Sequence, residues 1–136
     1  MNIALIGSGG REHALCHKIA KSSLINQIFC IPGNAGTKSI ATNINIDISD
    51  FSEIYKIVKK QKVDVVIVGP EQPLVDGVVD YLNKKNIKVF GPSKFASQLE
   101  GSKGFMKNLC KEYNIPTAKF GIFESFKESV DFINKN

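Results

Sequence analysis

The residues able to do chemistry fall in four short segments: 7–12 (G-S-G-G-R-E), 32–37 (P-G-N-A-G-T), 69–73 (G-P-E-Q-P) and 91–94 (G-P-S-K). In the first, Gly7, Ser8, Gly9 and Gly10 leave backbone N–H groups unobstructed where a helix is expected to begin. Such a turn binds a single phosphate, and Arg11 can add a charged, forked donor. The alternative is a tight strand-to-helix turn with no ligand. Gly7-Ser8-Gly9 also opens the dinucleotide fingerprint G-x-G-x-x-G, but the third glycine position holds Glu12, whose carboxylate would sit near a pyrophosphate. The stretch Cys30-Ile31-Pro32 offers no acidic residue for a ribose hydroxyl, so the pattern argues against NAD. In the third segment Pro70 and Pro73 stiffen a loop that presents Glu71. A carboxylate there suits a substrate amine or a sugar hydroxyl, or it serves only as a favourable charge at a helix N-terminus.

Two further patterns are weaker. Gly101-Ser102-Lys103 resembles the tail of a P-loop, yet Ala96 stands where its leading glycine belongs, and no strand feeds it. His13, Cys16 and His17 lie one helical turn apart, but two ligands on one helix need a third from elsewhere and no H-E-x-x-H glutamate is present, so packing is the better account.

The elements that must hold these loops can be read from hydrophobic spacing. Apolar runs at 2–6, 27–31 and 63–68 read as buried strands, with a further short strand at 87–90. Ile44, Ile46 and Ile48 alternate with polar residues, as in a strand at the sheet margin. Helices are expected over 11–21, with Ala14, Leu15, Lys18 and Ile19 at helical spacing; after Ser49 or Asp50, with Phe51, Ile54, Tyr55 and Val58 on one face; and over 74–85, with Leu74, Val75, Val78, Val79 and Leu82 inward. This alternation predicts an α/β fold, a Rossmann-like parallel doubly wound sheet whose ligand lies beyond the carboxyl ends of the strands. After Ser93 the character changes: helices at 93–100 and 102–113 join at Gly101, 119–123 has the look of a strand, and Ser125 caps a last helix running to Asn136. The first 100 residues form one domain, and 101–136 reads as linker helices and the beginning of another.

Composition narrows the class. At 136 residues, 43% apolar and 23% charged, the chain is ordinary for one globular domain. Its longest apolar run, residues 65–68, is far short of the roughly 20 residues of a membrane span. Three cysteines without a C-x-x-C pair suggest buried thiols of a reducing compartment, hence a cytoplasmic protein. The net charge of +5 comes from dispersed lysines with Arg11 as the single arginine, a pattern of solvated faces rather than of nucleic-acid or membrane binding.

Taken together, segments 7–15, 32–37, 68–75 and 90–103 resemble the phosphoribosylamine–glycine ligase family, in order and in register. The resemblance implies an N-terminal pre-ATP-grasp domain followed by the start of an ATP-grasp domain. It implies ligation of glycine to 5-phosphoribosylamine through glycyl phosphate, giving ADP, phosphate and glycinamide ribonucleotide in purine biosynthesis. It places phosphoribosylamine near Gly7, Ser8, Gly9, Gly10, Arg11, Glu12, Gly33, Asn34, Ala35, Gly36, Thr37, Pro70, Glu71 and Pro73, with Lys103 a candidate for contact with ATP. ATP with Mg2+ or Mn2+ and the catalytic centre are expected in later segments, the rest of the ATP-grasp domain. The chain is therefore expected to be an N-terminal portion, with no catalytic or metal-binding residue of its own and inactive alone. The alternative is a non-catalytic Rossmann-like module that binds a nucleotide or sugar phosphate.

Overall fold

The computed structural model describes residues 1–135 and divides into two compact units, Met1–Ser97 and Gln98–Asn136. The first is built on five parallel strands, β1 (Asn2–Gly7), β2 (Gln27–Pro32), β3 (Thr42–Asn43), β4 (Val65–Val68) and β5 (Val89–Phe90), in the order β3-β2-β1-β4-β5. β1 lies at the centre because its residues are apolar on both faces. Ala4 and Ile6 join Ile31, Val66 and Val68 on one side, while Leu5 joins Ile28 and Cys30 on the other. A strand buried on both faces needs helices on both sides. α2 (Phe51–Lys60) and α4 (Val78–Asn83) cover the first face through Ile54, Val58, Val78 and Leu82, and α1 (Gly10–Ile19) covers the second through Cys16.

Three expectations are corrected, whereas α1 forms as expected: its buried face is Glu12 and Cys16 with Ile19 half-buried, and Ala14 and Leu15 are exposed. The helix starts one residue earlier than its apolar spacing suggests, at Gly10, and that start puts Glu12 and Cys16 on one face, four residues apart. The helix expected over 74–85 is two, α3 (Glu71–Asp76) and α4, parted at Gly77, whose φ of 102° ends the first in the left-handed region. Residues 44–48 form no strand. Only Thr42 and Asn43 pair with β2, and Ile44, Ile46 and Ile48 instead pack as isolated apolar side chains against the core. Residues 119–123 are likewise without strand pairing.

α5 (Lys94–Gly101) carries the chain from the first unit into the second; the first-unit carboxylate of Asp80 accepts the Lys94 N–H at 2.6 Å. The second unit contains α6 (Lys103–Glu112), capped by the Ser102 hydroxyl on the Phe105 N–H, and α7 (Phe126–Lys135). The expected end of the last helix at Asn136 lies outside the described residues.

Candidate functional site

At the carboxyl ends of β1 and β4 the strand order reverses direction, and a cleft of about 410 Å³ opens there. This is where an open α/β sheet leaves room for a ligand, because the connections from the two central strands run to opposite sides. The cleft is lined by Gly7, Ser8, Gly9, Gly10, Arg11 and Glu12 from the β1–α1 turn, by Pro70 and Glu71 from the β4–α3 turn, and by Ile48. Eight of these nine residues were legible as site candidates. Ile48 was not, because it reaches the cleft from the irregular 44–48 segment.

Arg11 is the bridge between the two turns. Its guanidinium donates to the Gly69 carbonyl at 2.6 Å and to Glu71 Oε1 at 3.2 Å. Both side chains remain about half exposed, 60% and 48%, so the pair is open to an incoming anion rather than sealed. Glu71 is the first residue of α3. Its own backbone N–H, then the hydrogen bond and charge of Arg11, hold its carboxyl below the usual carboxylate range. The carboxylate is therefore ionised at neutral pH, which suits it to a protonated amine or a pair of hydroxyls. Two of the five guanidinium donors serve the protein, and Arg11 itself lines the cleft.

Glu12 behaves differently from its neighbours. It is 4% exposed, and its Oε2 accepts the Gly9 N–H at 2.7 Å. Its side chain occupies the space beside three glycines. A Cβ on Gly7 would lie 2.6 Å from Glu12 Cγ and one on Gly9 2.9 Å from Oε2, and a Cβ on Gly69 would meet Oε1 more closely still. Gly7 also has a φ of 127°, which side-chain-bearing residues rarely adopt. The turn is thus shaped by one buried carboxylate and the glycines that make room for it.

Residues 33–37 are tied to this turn from behind rather than forming part of the cleft lining. Asn34 Nδ2 donates to the carbonyls of Ser8 and Gly9, while its Oδ1 accepts the Thr37 N–H. Thr37 is fully buried; its hydroxyl accepts the Asn34 N–H and lies 2.8 Å from Asn43 Oδ1. Gly36 lies against the His13 imidazole, and Gly33, at φ 75°, is backed by Asn43 and Thr37. Ala35 is exposed beside them, and Pro73 is buried in α3. Asn43, which sequence reasoning passed over, completes the network by donating to the Asn34 carbonyl at 2.7 Å. The 91–94 segment also contributes packing: a Cβ on Gly91 would press on Leu74 and Val79.

Lys103 belongs to the second unit. It is exposed at the start of α6 and lines a cleft of about 400 Å³ with Lys107, Phe120 and Ile122. A larger space of about 570 Å³ in the same unit is bounded by Lys111, Phe120 and Phe132. Among the described residues no group of three or more His, Cys, Asp or Glu gathers as a metal site would require, and no helix is long and apolar enough to cross a membrane.

Known proteins give this geometry its relatives. Phosphoribosylamine–glycine ligase of Mesorhizobium japonicum is 48% identical over 135 residues, 99% of this chain and 32% of the relative. The protein of the same name from Clostridium acetobutylicum is 44% identical over the same shares. The crystal structure of phosphoribosylamine–glycine ligase from Thermotoga maritima aligns with a TM-score of 0.72 at 31% identity, over 99% of this chain and 30% of that one. The chain spans about a third of the length of these relatives. The family model for the phosphoribosylglycinamide synthetase N domain matches residues 1–100, which hold every residue of the cleft between β1 and β4, and the chain belongs to that family.

Proposed function

We propose that the chain supplies the phosphoribosylamine-binding part of an ATP-dependent ligase that joins glycine to 5-phosphoribosylamine, giving glycinamide ribonucleotide in purine biosynthesis. The observation that carries this reading is the cleft itself, where a half-exposed Arg11 and an ionised Glu71 face each other across the end of a helix N-terminus. A sugar phosphate bearing an amine has the complementary layout. Its phosphate would take the N–H groups of the first turn of α1 and the outward donors of Arg11. Its amine or ribose hydroxyls would take Glu71. Asn34, Thr37 and Asn43 fix the shape of the turn, and Gly33, Asn34, Ala35, Gly36, Thr37 and Pro73 remain further candidates for contact with the substrate.

Activation of glycine as its acyl phosphate by ATP, and attack by the amine with release of ADP and phosphate, belong in this reading to the remaining two-thirds that the relatives possess. Residues 101–135 represent the opening of that ATP-grasp domain, with Lys103 as a candidate contact for ATP. The described residues offer no acidic cluster that fits magnesium or manganese, so no step is assigned to a metal here. The dispersed positive charge fits a cytoplasmic enzyme of small metabolites.

Calorimetric titration of the chain with ribose 5-phosphate, AMP and NAD tests the reading. Ribose 5-phosphate should bind in preference to NAD, and Arg11→Ala should weaken it roughly tenfold to a hundredfold, the loss of about 1.5–3 kcal/mol expected for one charge-assisted contact. Preference for NAD, or an unchanged affinity in a folded Arg11→Ala variant, would overturn it. In the complete ligase the same substitution should raise the KM for phosphoribosylamine and leave that for ATP unchanged.

A further inference from the structure

We infer that Glu12 is a specificity-determining residue, whose buried carboxylate closes the glycine turn to a second phosphate and so reserves the cleft for a monophosphate. The inference rests on the reading of the cleft as a phosphate cradle and concerns what that cradle refuses.

Three properties of Glu12 act in the same direction. The first is a donor already in use. In a dinucleotide fold the second glycine of the turn lets the backbone approach the pyrophosphate, whereas here the Gly9 N–H donates to Glu12 Oε2 at 2.7 Å. The second is space. The third glycine of the fingerprint permits close packing of helix on strand. In its place the Glu12 side chain fills the volume beside Gly7, Gly9 and Gly69, all three of which lack the Cβ that would collide with it. The third is charge. A helix N-terminus stabilises nearby negative charge, and Glu12, in the first turn of α1, already supplies one from inside. A second phosphate would meet a like charge at close range in a partly desolvated pocket. Gly10 and Arg11 line the same cleft, and the Arg11 guanidinium is bonded to the Gly69 carbonyl and to Glu71 rather than to Glu12. A single phosphate on Arg11 therefore does not need the Gly9 N–H that Glu12 occupies.

The chain, its Glu12→Gln variant and its Glu12→Gly variant are each titrated with ribose 5-phosphate and with NAD, and each is checked for folding by thermal melting. Glu12→Gln keeps the volume and an acceptor for the Gly9 N–H while removing the charge. It should raise the affinity for NAD relative to ribose 5-phosphate by about tenfold or more, the scale of one charge–charge contact near a protein surface. Glu12→Gly removes charge and volume together and should raise the ratio further. A ratio unchanged within about twofold in folded Glu12→Gln would reduce Glu12 to a packing residue and overturn the inference. Loss of the fold in both variants would overturn it as well. Failure of the unaltered chain to bind ribose 5-phosphate would instead defeat the proposed function, and the gain in NAD affinity would then be read by itself.

Discussion

The two units of the chain use similar apolar content in different ways. In Met1–Ser97 the apolar residues converge on a central sheet, and Leu5, Ile6, Ile31, Ile54 and Leu82 are fully buried. In residues 98–135, among the described residues, none is buried to that degree; Ile122, Phe126 and Ile133 stand at 56%, 86% and 71% exposure, although α7 is clearly amphipathic. The second unit relies on local devices instead. The Ser102 cap, a tilted Phe123–Phe132 ring pair and Lys107 over the Phe120 ring are of this kind. Amphipathic spacing makes a helix with an apolar face, but stability comes when that face meets a second layer. The site candidates follow the same division: the cleft with Arg11 and Glu71 is mounted on the rigid sheet, and Lys103 on a helix with an open face.

The sharpest way to break this contrast is to truncate one apolar side chain in each unit. Leu5→Ala, at the centre of the sheet, should cost about 2–5 kcal/mol in urea unfolding. Ile133→Ala should stay within about 0.5 kcal/mol. Equal losses would mean that the second unit has a core comparable to that of the first. Next in size is the turn at the site. Gly7→Ala forces a side chain into a positive φ and against Glu12, and should cost about 1–3 kcal/mol by the same measurement. A neutral result would show that the Glu12 packing yields easily, weakening its role as the shaping group.

Caps sharpen the comparison because they act locally. Asp50→Ala removes the acceptor for the Glu53 N–H in α2, and Ser102→Ala the corresponding one in α6. Each should cost about 0.5–2 kcal/mol of helix stability. Circular dichroism should show the Asp50 change as a shift in the cooperative transition and the Ser102 change chiefly as lost helical signal.

The smallest effect, none at all near neutral pH, is expected from the thiols. Burial pushes Cys30 up to about 12 and raises Cys16 as well. Both raised groups favour the folded state while protonated. Their contribution is therefore fully present below the ordinary thiol value of 9.0 and is lost as pH rises from there toward about 12. Denaturant midpoints followed from pH 7 to 11 should stay level and then fall, less steeply in Cys30→Ala. Thiol labelling at pH 8 should reach the half-buried Cys110 of the second unit first, and fast labelling of Cys16 or Cys30 would break the contrast between the units.

Much of the first unit was legible because its signals are local. Continuous apolar runs, a glycine turn and the Asp50 cap depend on neighbours within a few residues, and so the central strands, their switch point and the loops at the carboxyl end could be read directly. The break at Gly77 was misread because apolar spacing runs straight through it, while the backbone there turns to a φ of 102°. The alternation of Ile44, Ile46 and Ile48 was real as a packing pattern, yet a strand also needs a partner edge, which only Thr42 and Asn43 find.

The residue types and their order by themselves determined the fold class, the loops that line the cleft and the family resemblance. Tertiary structure alone decided what each polar residue does there. Arg11 and Glu71 are 60 residues apart in sequence and meet only because β1 and β4 are neighbours in the sheet. Glu12 looked like one more charge at the mouth of a turn, but the start of α1 at Gly10 rotates it inward, beside glycines of two different strand ends. Periodicity specifies which side of a helix is apolar, whereas the facing of a single polar side chain depends on the register in which helix and sheet pack, a property of contacts distant in sequence.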